Sequence, residues 1–355
     1  MRCLTLADAL AERGVLCGFV TRKPPGNIVA RIVEHGHRIE LLATPQEAKS
    51  ELAQSARPYS QWLGVPMAHE VEQSTEAINR LSPDMVIVDH YALDHIWHQR
   101  VCAGRTVMAI DDLADRQHDC NLLLDQNFGR RPTDYDSLVP PGAKLLVGPE
   151  YALLRPEFRA NRQASLERRQ TVRHRTHILI SMGGADQENS TGRILDTLSR
   201  SSHAKRIDVT VVLGSAAPHL ESVHKQAEQM PFPATVLSDV GDMASLLVDI
   251  DMAIGAAGGS VWERCCLGVP SLLLVIADNQ RPATIALNEA KVAASIGDFH
   301  SSEWEDCLLF ALKKWSDSEQ LKEFSQRAAS IVDGEGVLRV VENVMHHVNL
   351  NGTEA

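Results

Sequence analysis

Three turns in the carboxyl-terminal half of the chain carry residue types suited to gripping a phosphate and a ribose. The most informative is DMAIGAAGGSVWERCCLGVP, residues 251–270. A strand-type run ends there at Gly255, the small residues 256–259 permit a close backbone approach, and Ser260 is placed to cap a helix that carries Glu263. Free N–H groups at a helix start, with the helix dipole behind them, favour an anion. Packing alone explains small residues in a turn equally well, so Gly and Ala do not decide between the two readings. Glu263 does weigh in: a carboxylate repels phosphate but offers two acceptor oxygens to a ribose diol.

A second turn, ISMGGADQENS (180–190), again sets bare backbone at Gly183 and Gly184 after an apolar run, with Asp186 or Asn189 as helix caps. A third, LLLVIADNQRPATIALNEA (272–290), releases Asp278, Asn279, Gln280 and Arg281 just before a helix. Solvated capping accounts for Asp278 better than for the two amides. In the first half, MVIVDHYALD (85–94) ends a buried strand with Asp89, His90 and Tyr91, groups that can move a proton or hold a sugar. A single His is more often structural than chemical. Asp111 and Asp112 follow the next strand. Adjacent carboxylates on one loop usually diverge, which favours turn formation over an acid–base pair. The chain has no P-loop string, no H-E-x-x-H and no G-x-S-x-G elbow, against Walker-type hydrolysis, zinc proteolysis and serine hydrolysis.

These turns need sheets to position them. Runs dense in Val, Ile, Leu and Met (VLCGFV, HRIELL, MVIVDHY, RTVMAI, CNLLLDQN, then HILISM, RIDVTVVLG, ATVLS, DMAIGA, SLLLVI) alternate with helical stretches, the pattern of parallel strands covered on both faces. At 355 residues the chain holds two ordinary domains. The expected division is an amino-terminal α/β domain over 1–155, a basic connection over 156–176, a carboxyl-terminal α/β domain with closing helices over 177–345, and a tail over 346–355. Ligands of such sheets lie beyond the carboxyl ends of the strands, in a cleft that two facing halves would frame.

Composition excludes several classes. With 44% apolar and 23% charged residues the chain has a soluble globular profile, and no apolar run reaches the roughly 18 residues of a membrane helix. The amino terminus has no export-signal pattern, which points to the cytoplasm and to no membrane partner. Seven cysteines are scattered without a paired CxxC, so they read as reduced and structural, with no metal site. A net charge of −11 opposes non-specific nucleic-acid binding. Any phosphate must be held locally, by amides and a few side chains.

Taken together, VDHYALD, IDDLADRQHDCNLLLDQN, YALLRPEF, ISMGGAD, VGDMASLL, GAAGGSVWE and DNQ closely resemble the PseG family, UDP-2,4-diacetamido-2,4,6-trideoxy-β-L-altropyranose hydrolases of pseudaminic acid biosynthesis, a pathway linked to flagellin glycosylation. The carboxyl-terminal half also resembles the UDP-GlcNAc-binding half of MurG. The resemblance implies a GT-B-like fold of two Rossmann-type domains and a small-molecule UDP-sugar as partner, without cofactor or metal. Carried over by position, it implies that Glu263 holds the ribose and that backbone at Val240 meets the uracil edge. Gly259, Ser260 and Val261 then cradle the diphosphate near Gly183 and Gly184, while Tyr91, Asn279 and Gln280 face the sugar, with Tyr91 and Asn279 as the catalytic candidates. A MurG-like transferase and a UDP-sugar-binding protein without turnover are the alternatives. Oligomeric state is not legible.

The departure from the family is at the front. Its members begin with a strand and a glycine-rich loop ending G-x-G-H-x-M-R, whose His is the proposed base; this sequence starts at the M-R of that pattern, making Arg2 a substrate-side candidate. The expectation is that Met1 is an internal methionine of a chain longer by about 15 to 20 residues. Impaired hydrolysis, exposed strand edges and a depleted core under Leu4, Leu6 and Leu10 are expected of the sequence as given, with His90 the possible substitute base.

Overall fold

The computed structural model describes residues 1–23, 26–43, 59–171, 174–315 and 318–352. The chain divides into two compact units: residues 1–153 with 336–355, and residues 154–335.

The first unit runs α1 (Arg2–Ala11), β1 (Gly18–Thr21), α2 (Val29–Glu34), β2 (Arg38–Leu41), α3 (Met67–Leu81), β3 (Met85–Val88), α4 (His95–Val101), β4 (Thr106–Ile110), β5 (Leu122–Asp125) and β6 (Lys144–Val147). Its strands are parallel but form two sheets, β1-β2 and β3-β4-β5-β6. Among the described residues β1 pairs only with β2 and β3 only with β4, so each keeps an open edge, as expected. The two strands nevertheless share an apolar layer, Val20 and Val86 both packing on the cluster around Ile78, Trp97 and Leu123. Alternation along β4 serves both faces. Val107 and Ala109 enter that cluster, while Met108 and Ile110 enter the opposite one with Leu122, Leu124 and Leu146. The expected core depletion under α1 is not observed. Leu4, Leu6 and Leu10 are 1%, 1% and 3% exposed, because Leu6 and Leu10 pack with Met108 and Ile110 and with valines of the last helix.

The second unit runs α5 (Pro156–Arg168), β7 (Thr176–Ser181), α6 (Ser190–Ser199), β8 (Ile207–Leu213), α7 (Leu220–Ala227), β9 (Ala234–Ser238), α8 (Met243–Val248), β10 (Met252–Gly255), α9 (Ser260–Cys266), β11 (Ser271–Val275), α10 (Arg281–Glu289), β12 (Ala294–Asp298), α11 (Trp304–Lys314) and α12 (Ser318–Ile331). Six parallel strands stand in the order β12-β11-β10-β7-β8-β9. Ile178 and Ile180 of β7, Val209 and Val211 of β8 and Met252 and Ile254 of β10 share one core with Ile194 and Leu198 of α6 and Trp304 of α11.

Two segments differ from the sequence expectation. Residues 156–168, read as part of a connection, are the helix α5. It has no apolar stripe because it docks through arginines. Arg162 donates to the carbonyls of Cys266 and Ala329, Arg168 to Asp249 O and the Asp251 carboxylate, and Arg169 to the carbonyls of Leu247, Ile250 and Gly268. Several of these acceptors, Cys266 O and Asp249 O among them, are carbonyls at the ends of α9 and α8, which helix ends cannot satisfy internally. The final helix, α13 (Gly336–Gly352), belongs to the first unit although the sequence reading grouped residues up to 345 with the second half. Val337, Val340, Val341 and Val344 form its apolar stripe against Leu6, Leu10 and Leu146.

Candidate functional site

In the second unit the sheet order reverses at β7: β8 lies on one side and β10 on the other. The turns after β7 and β10 therefore flank a topological switch point, where sheets of this kind open a crevice. Both turns are bare backbone. A methyl group built on Gly183, Gly184, Gly258 or Gly259 meets no atom within 4 Å, nor does one on Gly241 after β9. Gly183 also holds φ 106°, a conformation that favours glycine.

The turns are held from below. Gly214 N donates to Gly184 O at 2.9 Å, and a Cβ on residue 214 would stand 2.6 Å from that oxygen, so the turn after β8 locks the Met182–Gly184 loop. Beneath the β10 turn lies Arg264, 1% exposed; its guanidinium donates to Ala256 O at 3.0 Å, Ser260 Oγ at 3.1 Å and Ser271 Oγ at 3.0 Å. Burial lowers the pKa of this guanidinium.

Two expected details are corrected. Ser260 does not cap α9: the helix begins after Gly259 with no side-chain cap, and Ser260 Oγ accepts from Arg264 instead. Val261 contributes no free amide, since its N–H donates to Gly258 O at 2.9 Å and its side chain is fully buried. Among the described residues the amides of Gly258 and Gly259 make no hydrogen bond. The caps of α6 are as the sequence suggests, with Asp186 accepting from Ser190 N and Thr191 N and Asn189 from Gly192 N.

Glu263 stands one turn into α9 and is half-buried. Burial pushes its carboxyl up to about 7, with Arg155 and Arg264 opposing the shift. Arg155, whose charge acts on this carboxylate, donates to Gly241 O in the neighbouring turn at 3.1 Å and pairs with Glu157 at 3.0 Å. Val240 lies in that turn between Asp239, at φ 50°, and Gly241. After β11, Asn279 is exposed. Gln280 is committed, its Oε1 accepting from Ile276 N at 3.2 Å, and Asp278 pairs with Arg281.

The first unit gathers its own constellation at the ends of β3, β4 and β5. Arg2 is spent on two carboxylates, with bonds of 2.6 and 2.9 Å to Asp89 and 2.8 and 2.9 Å to Asp112. Tyr91 Oη donates to Asp112 at 3.1 Å, and the Arg116 guanidinium lies 5.7 Å from the Tyr91 ring centroid. Asp111 diverges from Asp112, as adjacent turn residues do. It is fully buried, accepts from Ala114 N at 2.7 Å, pairs with Arg116 at 2.8 Å and shares the Tyr135 hydroxyl with Asp125. His90 accepts from Ala92 N through Nδ1, and burial lowers its pKa. Sequence reasoning missed Arg155, Arg264 and the aromatic neighbours of Tyr91: Arg264 lies within the glycine-rich string itself, but nothing in its spacing says that its guanidinium turns back beneath the turn, and the others sit outside such strings. Among the described residues no three His, Cys, Asp or Glu side chains converge as metal ligands, and no helix is long and apolar enough to cross a membrane.

The fold is of the GT-B class. MurG of Acinetobacter baumannii superposes with a TM-score of 0.67 at 14% identity, covering 97% of this chain and 95% of that one. Among characterised relatives, the chain is 28% identical over 205 residues to the spore coat polysaccharide biosynthesis protein SpsG of Bacillus subtilis, spanning 57% of this chain and 58% of SpsG. It is 26% identical over 201 residues to the UDP-2,4-diacetamido-2,4,6-trideoxy-β-L-altropyranose hydrolase of Campylobacter jejuni, spanning 55% of this chain and 69% of that enzyme. No family model matches the chain.

Proposed function

We propose that this chain is a UDP-sugar hydrolase that releases UDP from a 2,4-diacetamido-2,4,6-trideoxy hexose, as the name of its Campylobacter relative describes for that enzyme. The observation that carries the reading is the row of open glycines flanking the β7–β10 switch point with Glu263 one turn beyond them. The amides of Gly258 and Gly259 face the diphosphate and Glu263 accepts from the ribose hydroxyls. Backbone at Val240 meets the uracil edge. Water attacks the anomeric carbon as the bond to the diphosphate oxygen breaks, and amide donors stabilise the charge that develops on the departing UDP. Tyr91 and Asn279 face the sugar. The test is incubation with the UDP-linked sugar and no acceptor. UDP plus free sugar in equal amounts supports hydrolysis, release only on adding an acceptor makes the protein a transferase, and saturable binding without product makes it a binding protein.

A further inference from the structure

Beside Tyr91 the first unit displays an aromatic ring that the reaction scheme leaves unused. Trp62 closes a short 3-10 turn, Ser60–Trp62, and is 57% exposed, while Leu63 and Val65 immediately after it are 5% and 0% exposed. The chain thus buries the apolar residues that follow and holds the indole out beside exposed Gln61. The other four tryptophans, Trp97, Trp262, Trp304 and Trp315, are each 4% exposed or less. Trp62 is braced rather than loose: its ring centroid lies 5.2 Å from that of Tyr91, and Tyr59 stands 5.8 Å from Tyr91 on its own account. Polar tips are anchored away from the ring faces, with Tyr59 Oη donating to Asp115 at 2.5 Å and Tyr91 Oη to Asp112 at 3.1 Å. Tyr59 is held at φ 60°, unusual for an aromatic residue.

We infer that Trp62, braced by Tyr91, is a specificity-determining platform for the sugar, taking the C–H face and methyl groups of an N-acetylated deoxy pyranose. The inference rests on the UDP-sugar reading above, and supplies the ring-stacking surface that reading lacks. A single exposed indole is too small for a stable protein interface, which needs a contiguous patch of many residues. Fixed aromatic faces next to hydrogen-bonding groups, here Asp112, Asp115 and Arg116, match a ligand that is apolar on one face and polar at its rim. Ring C–H bonds, the acetamido methyls and the 6-methyl provide that apolar face, and the amide N–H and C=O groups with the remaining hydroxyl provide the rim.

Because Trp62 is the exposed tryptophan, acrylamide quenching of the intrinsic fluorescence reads it selectively. The probes are UDP and UDP-N-acetylglucosamine. The sugar nucleotide should shield Trp62 from quencher and UDP alone should not. Trp62→Ala should weaken UDP-N-acetylglucosamine roughly three- to tenfold while leaving UDP affinity unchanged, and Trp62→Phe should retain most of the binding. Equal quenching with and without saturating sugar nucleotide, or equal loss of UDP and UDP-sugar affinity in Trp62→Ala, overturns the platform while leaving the nucleotide site intact. Failure of both probes to bind the unaltered protein overturns the underlying reading instead, and the platform with it.

Discussion

Tyr91 Oη donates to the Asp112 carboxylate at 3.1 Å, and that same carboxylate is gripped twice by Arg2. The phenol is thereby fixed at the end of β3 by groups from two other segments of the unit. If Tyr91 faces the reacting sugar, its orientation matters more than its bulk. Tyr91→Phe is expected to lower kcat by roughly a hundredfold, and Asp112→Asn by roughly tenfold, with UDP affinity unchanged in both. Equal loss of UDP affinity in either variant, measured by titration calorimetry, would remove Tyr91 from the sugar side.

Glu263 carries a signature that separates function from stability. Its carboxyl is raised to about 7, chiefly by burial. The folded chain therefore keeps a proton there that the unfolded chain sheds near the ordinary glutamate value of about 4.5. Stability falls as pH rises through that window, and the cost is fully present above about pH 7, on the order of 1–3 kcal/mol. Glu263→Gln should raise Tm relative to the unaltered protein near pH 8 and far less near pH 5, while weakening UDP. A Tm difference independent of pH in thermal melts contradicts this account.

Tyr135 donates one proton between two fully buried carboxylates, 2.9 Å from Asp111 and 2.8 Å from Asp125. Burial pushes Asp125 up to about 6, while His118 and Arg116 overcome burial at Asp111 and hold it well below the usual carboxylate range. The hydroxyl reconciles the pair. Tyr135→Phe should destabilise the chain by about 1–3 kcal/mol in urea unfolding, the cost of leaving buried acceptors unmet. A midpoint shift near zero would show that the pair does not depend on the hydroxyl.

Arg169 holds three carbonyls at 2.9 Å: Leu247, Ile250 and Gly268. Arg169→Met keeps the apolar stem but removes the donors to these three carbonyls, so a loss of about 2 kcal/mol is expected. Because Gly268 follows α9, the helix that carries Glu263, the same variant should weaken UDP only modestly. Full stability in unfolding experiments would show that water replaces the guanidinium.

These arginines also explain what could not be read from the sequence. The strands with dense Val, Ile and Leu, such as MVIV and LLLD, were legible because both faces are covered. The four-residue β6, and the five-residue β12 with its sequence ASIGD and Gly297 at φ 106°, carry too little β-type pattern. Helix α5 was illegible as a helix since its partners are carbonyl oxygens, which leave no apolar period. The valine stripe of α13 was visible, but nothing in it says which sheet it covers. At the site, glycines and Glu263 declare themselves through turn chemistry. Trp62 does not, because its exposure is a property of the fold around it, and Ser260 misleads because a buried guanidinium competes for its hydroxyl.

The central claim is that open main-chain amides after β10, with Glu263 beside them, hold a uridine diphosphate. Titration of UDP into the unaltered chain, Glu263→Ala and Gly259→Val tests it most directly, since a side chain at residue 259 meets only open space and should not disturb folding. Saturable binding weakened at least about tenfold by each substitution is the predicted result. Affinity for UDP unchanged in both variants would contradict it.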